Sequence, residues 1–369
     1  MSTKEISVKM QRQSNIELLR IVSMIFIIAH HYACHGGVYN TLFEGNTLFT
    51  ASMLMTLGKI GVDLFVLITG YFMVEANFKI TRIIKLESAV LFYSIVWFII
   101  AVNVLEIETV SYLSVRDAIL PSLVNKSTLY WFVPCYMGLQ LLAPFLNRLI
   151  ASINQNQFRL LLSILGFFIC IVPSVLQSQP WYDGNMFLFV LLYFIGAYIH
   201  KYGIRILKMN GFVMCGLTAL LYLLMNFVTV SIGQDVTLYA TYGINPHSVW
   251  AGNSVLAIAI SILTFCCFLK VNIKNSKIIN CISATTFGIY LIHDNVYFRS
   301  YFWKNVFHTE DYYYSDTLWL HALICIICIF VCCSMIEFVR GRVFDFLIHK
   351  LERQKFIRKV DTVFELGDT

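Results

Sequence analysis

The chain has 369 residues, of which 58% are hydrophobic and only 13% are charged, and its formal net charge is +6 at pH 7. The charged fraction is about half the value usual for globular proteins, so a soluble enzyme of this length is excluded for lack of polar surface. Apolar stretches of about 20 residues recur from end to end, which indicates a polytopic protein with membrane-spanning helices.

The first apolar segment, Glu17 to Tyr32, carries an arginine near one end and histidines at the other. Arg20 and His31 fall on one face of a helix at about 100° per residue, separated by about 16 Å along its axis. Ionisable groups within a span usually face the protein interior and indicate a functional path. The alternative is that Arg20 contacts lipid phosphates and the histidines end the helix at the outer interface.

Ten segments are predicted to span the membrane, and this even number places both termini on one side. Cytoplasmic loops are enriched in lysine and arginine. With an internal N-terminus, the outside loops hold only four of the 27 basic residues: Arg116, Lys126, Arg299 and Lys304. Both termini are therefore predicted to be cytoplasmic. The predicted spans are 16–36, 50–74, 86–105, 129–147, 158–177, 186–200, 211–232, 249–269, 282–298 and 317–338.

The spans predict one all-α membrane domain, residues 16–338, between a cytoplasmic N-terminal tail (1–15) and a basic cytoplasmic C-terminal tail (339–369). The basic tail is expected to lie on the anionic head groups of the lipid bilayer. Since the positive charge is explained by topology, no nucleic-acid partner is expected. The cysteines fall mostly within apolar segments, so neither a disulfide nor a metal site is predicted.

Later spans contain further polar residues within apolar sequence. The second span reads "GKIGVDLFVLITGYFM" and includes Asp63, four residues after Lys59, so that an ion pair within the helix is one interpretation of Asp63. The following loop, "FKITRIIKL", contains Arg82 and Lys85. An aromatic block, "LYWF", begins the fourth span, and "SATTFGIYLIHDNV" brings His293 into the ninth.

Taken in order, these segments resemble the motifs of the acyltransferase-3 family of transmembrane O-acyltransferases, over essentially the whole membrane domain. The family's first motif is an arginine followed, after ten residues, by a histidine. Arg20 and His31 match this spacing. The chain departs from the family pattern at four positions. It has Glu17 where the family usually has aspartate, Thr69 where serine is usual, Lys85 in place of arginine and Phe287 in place of tyrosine. The other matching positions are Gly61, Val62, Asp63, Leu64, Phe65, Gly70, Arg82, Tyr130, Trp131, Phe132, Gly288, Tyr290, Leu291 and His293.

The resemblance implies an enzyme of the bacterial cytoplasmic membrane that transfers an acyl group, usually acetyl from acetyl-CoA, to a hydroxyl of a surface polysaccharide or its lipid-linked precursor. A hydroxyl is a poor nucleophile at neutral pH, so the reaction needs a general base, for which we predict His31. Transient acetylation of His31 is a variant. Asp63 or Glu17 is expected to orient or stabilise a partner, and His293 is a second candidate, although helix packing explains it equally well.

Arg20, Arg82 and Lys85 form a cytoplasmic basic set suited to the phosphates of acetyl-CoA. Lys85 can bind phosphate as a point charge, although it lacks the bidentate geometry of arginine. For Arg82 and Lys85 the alternative is the ordinary positive charge of a cytoplasmic loop.

Two other classes of function fit some of these features. A transporter or flippase of glycans or lipid-linked sugars would also use intramembrane charges on one helix face. A sensor module fits less well, because no signalling domain accompanies the spans. Within the enzyme class, succinyl transfer remains an alternative to acetyl transfer.

Overall fold

The computed structural model describes residues 13–38, 47–105, 130–176, 185–234, 247–352 and 354–364. Within these ranges every regular element is helical, which confirms the predicted all-α class. The N-terminal tail and the C-terminal tail fall partly outside the described residues. The helices are α1 (Ser14–His35), α2 (Leu48–Met73), α3 (Ile80–Asn103), α4 (Phe132–Ser152), α5 (Gln155–Leu176), α6 (Asn185–Tyr202), α7 (Gly211–Gln234), α8 (His247–Trp250), α9 (Val255–Lys270), α10 (Lys277–Ser283), α11 (Thr286–His293), α12 (Leu318–Glu352) and α13 (Lys355–Phe364).

Eight described helical segments are long and apolar enough to cross a membrane, with α8 and α9 counted as one segment. The predicted span 129–147 corresponds to α4, which has 21 residues but is not among the eight. The predicted span 282–298 is instead two short helices, α10 and α11, which break at Ala284 and Thr285. Ten crossings and cytoplasmic termini therefore stay predictions.

Helix α2 lies at the centre of the bundle, against α1, α6 and α9. It approaches α1 closely because two glycines face that helix. A Cβ atom at Gly58 would lie 2.3 Å from the Cβ of His30, and one at Gly61 would lie 2.7 Å from the carbonyl oxygen of Ser23. This contact places the side chains after Gly58 beside the histidines of α1.

A π-helical segment, Phe167–Ile171, interrupts α5 just before Pro173. Proline has no backbone N–H and its ring crowds the carbonyl four residues earlier, so a straight α-helix cannot continue through it. That carbonyl, of Ile169, instead accepts a hydrogen bond from the Asn253 side-chain amide at 3.0 Å. The proline thereby fixes the loop between α8 and α9.

The last long helix, α12, runs continuously from Leu318 to Glu352, so the boundary predicted after residue 338 falls inside one helix. Its C-terminal half contacts the start of α3. Asp345 pairs with Lys85, and Glu352 accepts a hydrogen bond from Thr81 at 3.3 Å. In α13, Asp361 accepts the backbone N–H of Ile80 at 2.8 Å and thus caps α3.

Candidate active site

A cavity of about 200 Å³ lies between α1, α2, α3, α4, α10 and α11. We call it the main cavity; the residues that line it include Arg20, His30, His31, Lys59, Trp131 and Tyr290. Arg20 and His31 therefore open on the same space, as their spacing on one helix face predicts. Most of the other lining side chains are apolar or aromatic, which suits a site from which water is excluded.

His31 is buried and forms a hydrogen-bonded pair with His293. Its Nδ1 lies 2.9 Å from His293 Nε2, and His293 Nδ1 lies 2.6 Å from the carbonyl oxygen of Ile289. A carbonyl oxygen only accepts, so neutral His293 carries its proton on Nδ1 and accepts at Nε2. Neutral His31 must then donate from Nδ1, which leaves the lone pair of its Nε2 free. This tautomer is the one in which His31 can take a proton through Nε2.

The carboxylate of Asp294 lies next to this pair and is 2% exposed. Its Oδ1 lies 3.8 Å from His31 Nε2, 3.1 Å from His35 Nε2 and 3.4 Å from a guanidinium nitrogen of Arg299. A buried carboxylate needs such partners, because its loss of hydration is costly. A proton taken up by His31 would face this negative charge, which stabilises the imidazolium.

The same cluster contains the described side chains that come closest to a metal site. The candidate ligand atoms of His31, His35 and Asp294 lie within 4.8 Å of one another. However, the guanidinium of Arg299 already contacts Asp294 Oδ1. A metal cation would have to compete with this positive charge, so we interpret the cluster as an ion-pair network.

Glu17 lies at the opposite end of α1 from His31, about 21 Å away along the helix axis. It is buried, accepts a hydrogen bond from Ser283 and lies 3.9 Å from the guanidinium of Arg20. The structure therefore does not bring Glu17 to His31. Its carboxylate instead contacts Arg20, which lines the main cavity.

Asp63 also lies outside the main cavity. It is fully buried in α2 and lines a second space of about 60 Å³, the side cavity, together with Lys59, Trp131, His247 and Asn253. Asp63 Oδ2 accepts a hydrogen bond from Ser261 at 3.3 Å, while Oδ1 has no hydrogen-bond partner. Lys59 lines both cavities, whereas Asp63 lines the side cavity.

Arg82 and Lys85 are exposed in the first turns of α3 and are not among the residues that line the main cavity. Leu86, one turn after Arg82, does line it, so the start of α3 lies at the edge of the cavity. Lys85 is paired with Asp345. Within the predicted phosphate-binding set, only Arg20 therefore opens directly on the main cavity.

The aromatic block before α4 supports the histidine pair. The Tyr130 hydroxyl donates to the carbonyl oxygen of Leu291 at 2.7 Å and accepts from the Asn295 amide at 2.7 Å. These two bonds hold the chain on either side of His293 and Asp294. Trp131 lines both cavities, so the block both positions the site and forms part of its wall.

Sequence reasoning did not assign roles to Asp294, His35 and Arg299. His35 follows His31 by four residues, which puts both on one helix face, and Asp294 directly follows His293. The sequence therefore contained a signal for His35 and for Asp294. It contained none for the contact of Arg299 with Asp294, because an arginine outside a span is expected to be ordinary loop charge.

Comparison with known proteins adds one match. The acyltransferase-3 family model, described as an acyltransferase domain, matches residues 13–337, which is most of the chain. No curated protein and no solved structure matches the chain. The matched range includes both cavities, the histidine pair and Arg299, and it gives no support to the transporter or flippase alternative.

Proposed function

Since the chain belongs to the acyltransferase-3 family, whose members are membrane acyltransferases, we propose that it transfers an acetyl group from acetyl-CoA to a hydroxyl of a cell-surface polysaccharide or its lipid-linked precursor. The proposed location is the cytoplasmic membrane of a bacterium. The eight described helical segments that are long and apolar enough to span a bilayer support a location in a membrane. Acetyl-CoA acts as a co-substrate, and its acyl end enters the main cavity.

The observation that carries this proposal is the hydrogen-bonded pair of His31 and His293, from which the tautomer of His31 follows. His31 lines the main cavity, and its 2.9 Å contact with His293 leaves Nε2 of the neutral ring unprotonated and able to act as a general base. A positioned base of this kind typically accelerates acyl transfer about 10²–10⁴-fold. A glycan transporter has no chemical need for a histidine whose tautomer is fixed by a second histidine.

The proposed reaction follows from this geometry. The acceptor hydroxyl attacks the thioester carbonyl carbon while its proton moves to His31 Nε2, and the carbonyl π electrons move to the oxygen. The intermediate then collapses, the C=O bond re-forms and the C–S bond breaks. The departing thiolate takes the proton from His31. Asp294, at 3.8 Å, stabilises the imidazolium between these steps.

The donor is proposed to bind with its phosphates at the end of the main cavity where Arg20 lies. Arg20 is one-third exposed and oriented by Glu17, so its guanidinium remains accessible to an anionic ligand. With an internal N-terminus this end is cytoplasmic, where acetyl-CoA is present. Arg82, exposed near the cavity edge, is a second phosphate contact in this proposal.

The test is transfer of labelled acetyl from acetyl-CoA to envelope glycan in membranes that carry the native protein, His31→Ala, Arg20→Ala or His30→Asn. We expect His31→Ala to lose about 10²–10⁴-fold in rate, and Arg20→Ala to raise the KM for acetyl-CoA. His30→Asn is the matched control, because His30 lines the same cavity one residue away but donates to the Met55 carbonyl.

The control should keep most of the native rate. Equal labelling by His31→Ala and the native protein, at equal expression, would remove His31 as the base. Absence of labelling by the native protein would contradict the proposed donor and acceptor.

A further inference from the structure

Lys59 is a half-buried lysine of α2 with no role in the reaction described above. It lines both the main cavity and the side cavity, and its Nζ lies 5.4 Å from the centroid of the Trp131 ring. Across the described residues, its ammonium makes no hydrogen bond and no ion pair within 4 Å, and Asp63 acts on it only as a more distant charge. Charges inside a membrane domain are costly and usually mark a functional site, so this unpaired cation requires an explanation.

The nearest sequence-based explanation is an ion pair with Asp63, one helical turn away. The structure does not contain that pair. Asp63 is held by Ser261 through Oδ2, and its Oδ1 has no hydrogen-bond partner. Both residues line the side cavity, which has a volume of about 60 Å³. The ammonium charge therefore stays available to the main cavity, where His31 lies.

We propose that Lys59 is a catalytic residue that stabilises the negative charge developing on the carbonyl oxygen of the acyl thioester. This inference rests on the proposed function, because it requires a thioester between Lys59 and His31. When the acceptor oxygen bonds to the carbonyl carbon, the π electrons move onto the carbonyl oxygen and the proton goes to His31. A fixed cation in a site of low dielectric favours that oxyanion over the neutral carbonyl.

The surroundings of Lys59 support this role. The face of Trp131 holds the ammonium by a cation–π contact, which favours the charged form without neutralising it. Gly58 lets α2 approach His30, and this close approach brings Lys59 to the cavity that His31 also lines.

The experiment measures labelled acetyl transfer to envelope glycan by the native protein and by Lys59→Met, Lys59→Gln and Lys59→Arg, beside His31→Ala. Binding of S-ethyl-CoA, which lacks the carbonyl group, is measured on the same purified variants, together with their thermal unfolding. Lys59→Met removes the charge at similar volume, and Lys59→Arg retains it. Lys59→Gln keeps a polar group, so it provides the test should Lys59→Met fail to fold.

We expect Lys59→Met and Lys59→Gln to lower turnover roughly 10²–10³-fold while S-ethyl-CoA binding changes by less than about threefold. Lys59→Arg should keep at least about a tenth of the native rate, because the cation remains. Turnover by a folded neutral variant equal to that of the native protein, with His31→Ala inactive, would overturn the role of Lys59 and leave the proposed function intact. An equal loss of S-ethyl-CoA binding would assign Lys59 to the ground state and also overturn it.

A parallel reaction with labelled succinyl-CoA distinguishes the other use of the cation. If Lys59→Met lost only succinyl transfer, Lys59 would hold a terminal carboxylate and the oxyanion role would be wrong. If the native protein labelled glycan from neither donor, the proposed function itself would fail, and the inference with it.

Discussion

At the scale of single residues, the candidate site depends on which nitrogen of His31 carries the proton. The carbonyl oxygen of Ile289 sets the tautomer of His293, and His293 sets that of His31. In the proposed reaction, His293 is therefore a positioning residue, since it would act through His31. Asp294, the next residue, would supply the negative charge that stabilises protonated His31.

Replacement of His293 tests this arrangement. His293→Phe keeps a large ring but removes the acceptor for the His31 Nδ1–H, so we expect turnover to fall about 10²-fold with little change in KM. His293→Gln places a carbonyl oxygen near the position of Nε2 and should recover most of that loss. The measurement is steady-state acetyl transfer by both variants.

Equal losses in the two His293 variants would indicate that the residue matters for packing alone. Thermal unfolding of both variants provides the control, because a packing defect would lower the unfolding temperature as well as the rate.

At the scale of elements, the position of α2 depends on glycines that bring it against two neighbours. A Cβ atom at Gly70 would lie 2.1 Å from the carbonyl oxygen of Tyr193, and one at Gly196 would lie 2.3 Å from the carbonyl oxygen of Leu67. The α2–α6 contact is thus made backbone to backbone, as is common between membrane helices. Because α2 carries Lys59 and Asp63, this contact also positions the wall between the cavities.

Gly70→Ala should therefore destabilise the bundle. The added methyl meets backbone that cannot move aside, and overpacking of this kind costs about 1–3 kcal/mol. Gly216→Ala is the matched control, since no atom lies within 4 Å of a Cβ there, and alanine favours the helix interior by about 0.5–1 kcal/mol.

Thermal unfolding of the purified variants in detergent measures both effects. We expect a lower unfolding temperature for Gly70→Ala and an equal or higher one for Gly216→Ala. A Gly70→Ala protein as stable as the native one would mean that α2 and α6 can separate without cost.

At the scale of the whole molecule, the proposed reaction requires a defined orientation in the membrane. Arg20 must face the compartment that contains acetyl-CoA, and the His31 end must be reachable by the acceptor. Most basic residues fall in the loops that an internal N-terminus makes cytoplasmic, and this asymmetry predicts that orientation. The contacts of α12 and α13 with the start of α3 place these helices on the same side as Arg82.

Reporter fusions test the orientation directly. Alkaline phosphatase fused after Lys304 should be active, because that loop is predicted to be extracytoplasmic and the enzyme needs an oxidising compartment. The same reporter fused after Lys277 should be inactive, whereas a fluorescent protein there should be fluorescent. The reverse pattern would place Arg20 outside and contradict the proposed path of the donor.

Much of this protein was determined by its sequence alone. Composition fixes the membrane class, because 13% charged residues cannot cover a soluble fold of this size. The spacing of Arg20 and His31 placed both on one helix face, and the order of the motifs predicted the family. Helical periodicity is local, so it can be read from one segment at a time.

Only the tertiary structure decided which distant residues meet. His293 lies 262 residues from His31, and no periodicity within one helix could pair them. The same holds for Arg299 with Asp294 beside His31, and for the placement of Asp63 away from that histidine in a separate cavity. Whether Lys59 and Asp63 form an ion pair also depended on packing, because their partners Trp131 and Ser261 come from other segments. Contacts between helices follow from how side chains fit together in three dimensions, which the pattern within any one helix does not contain.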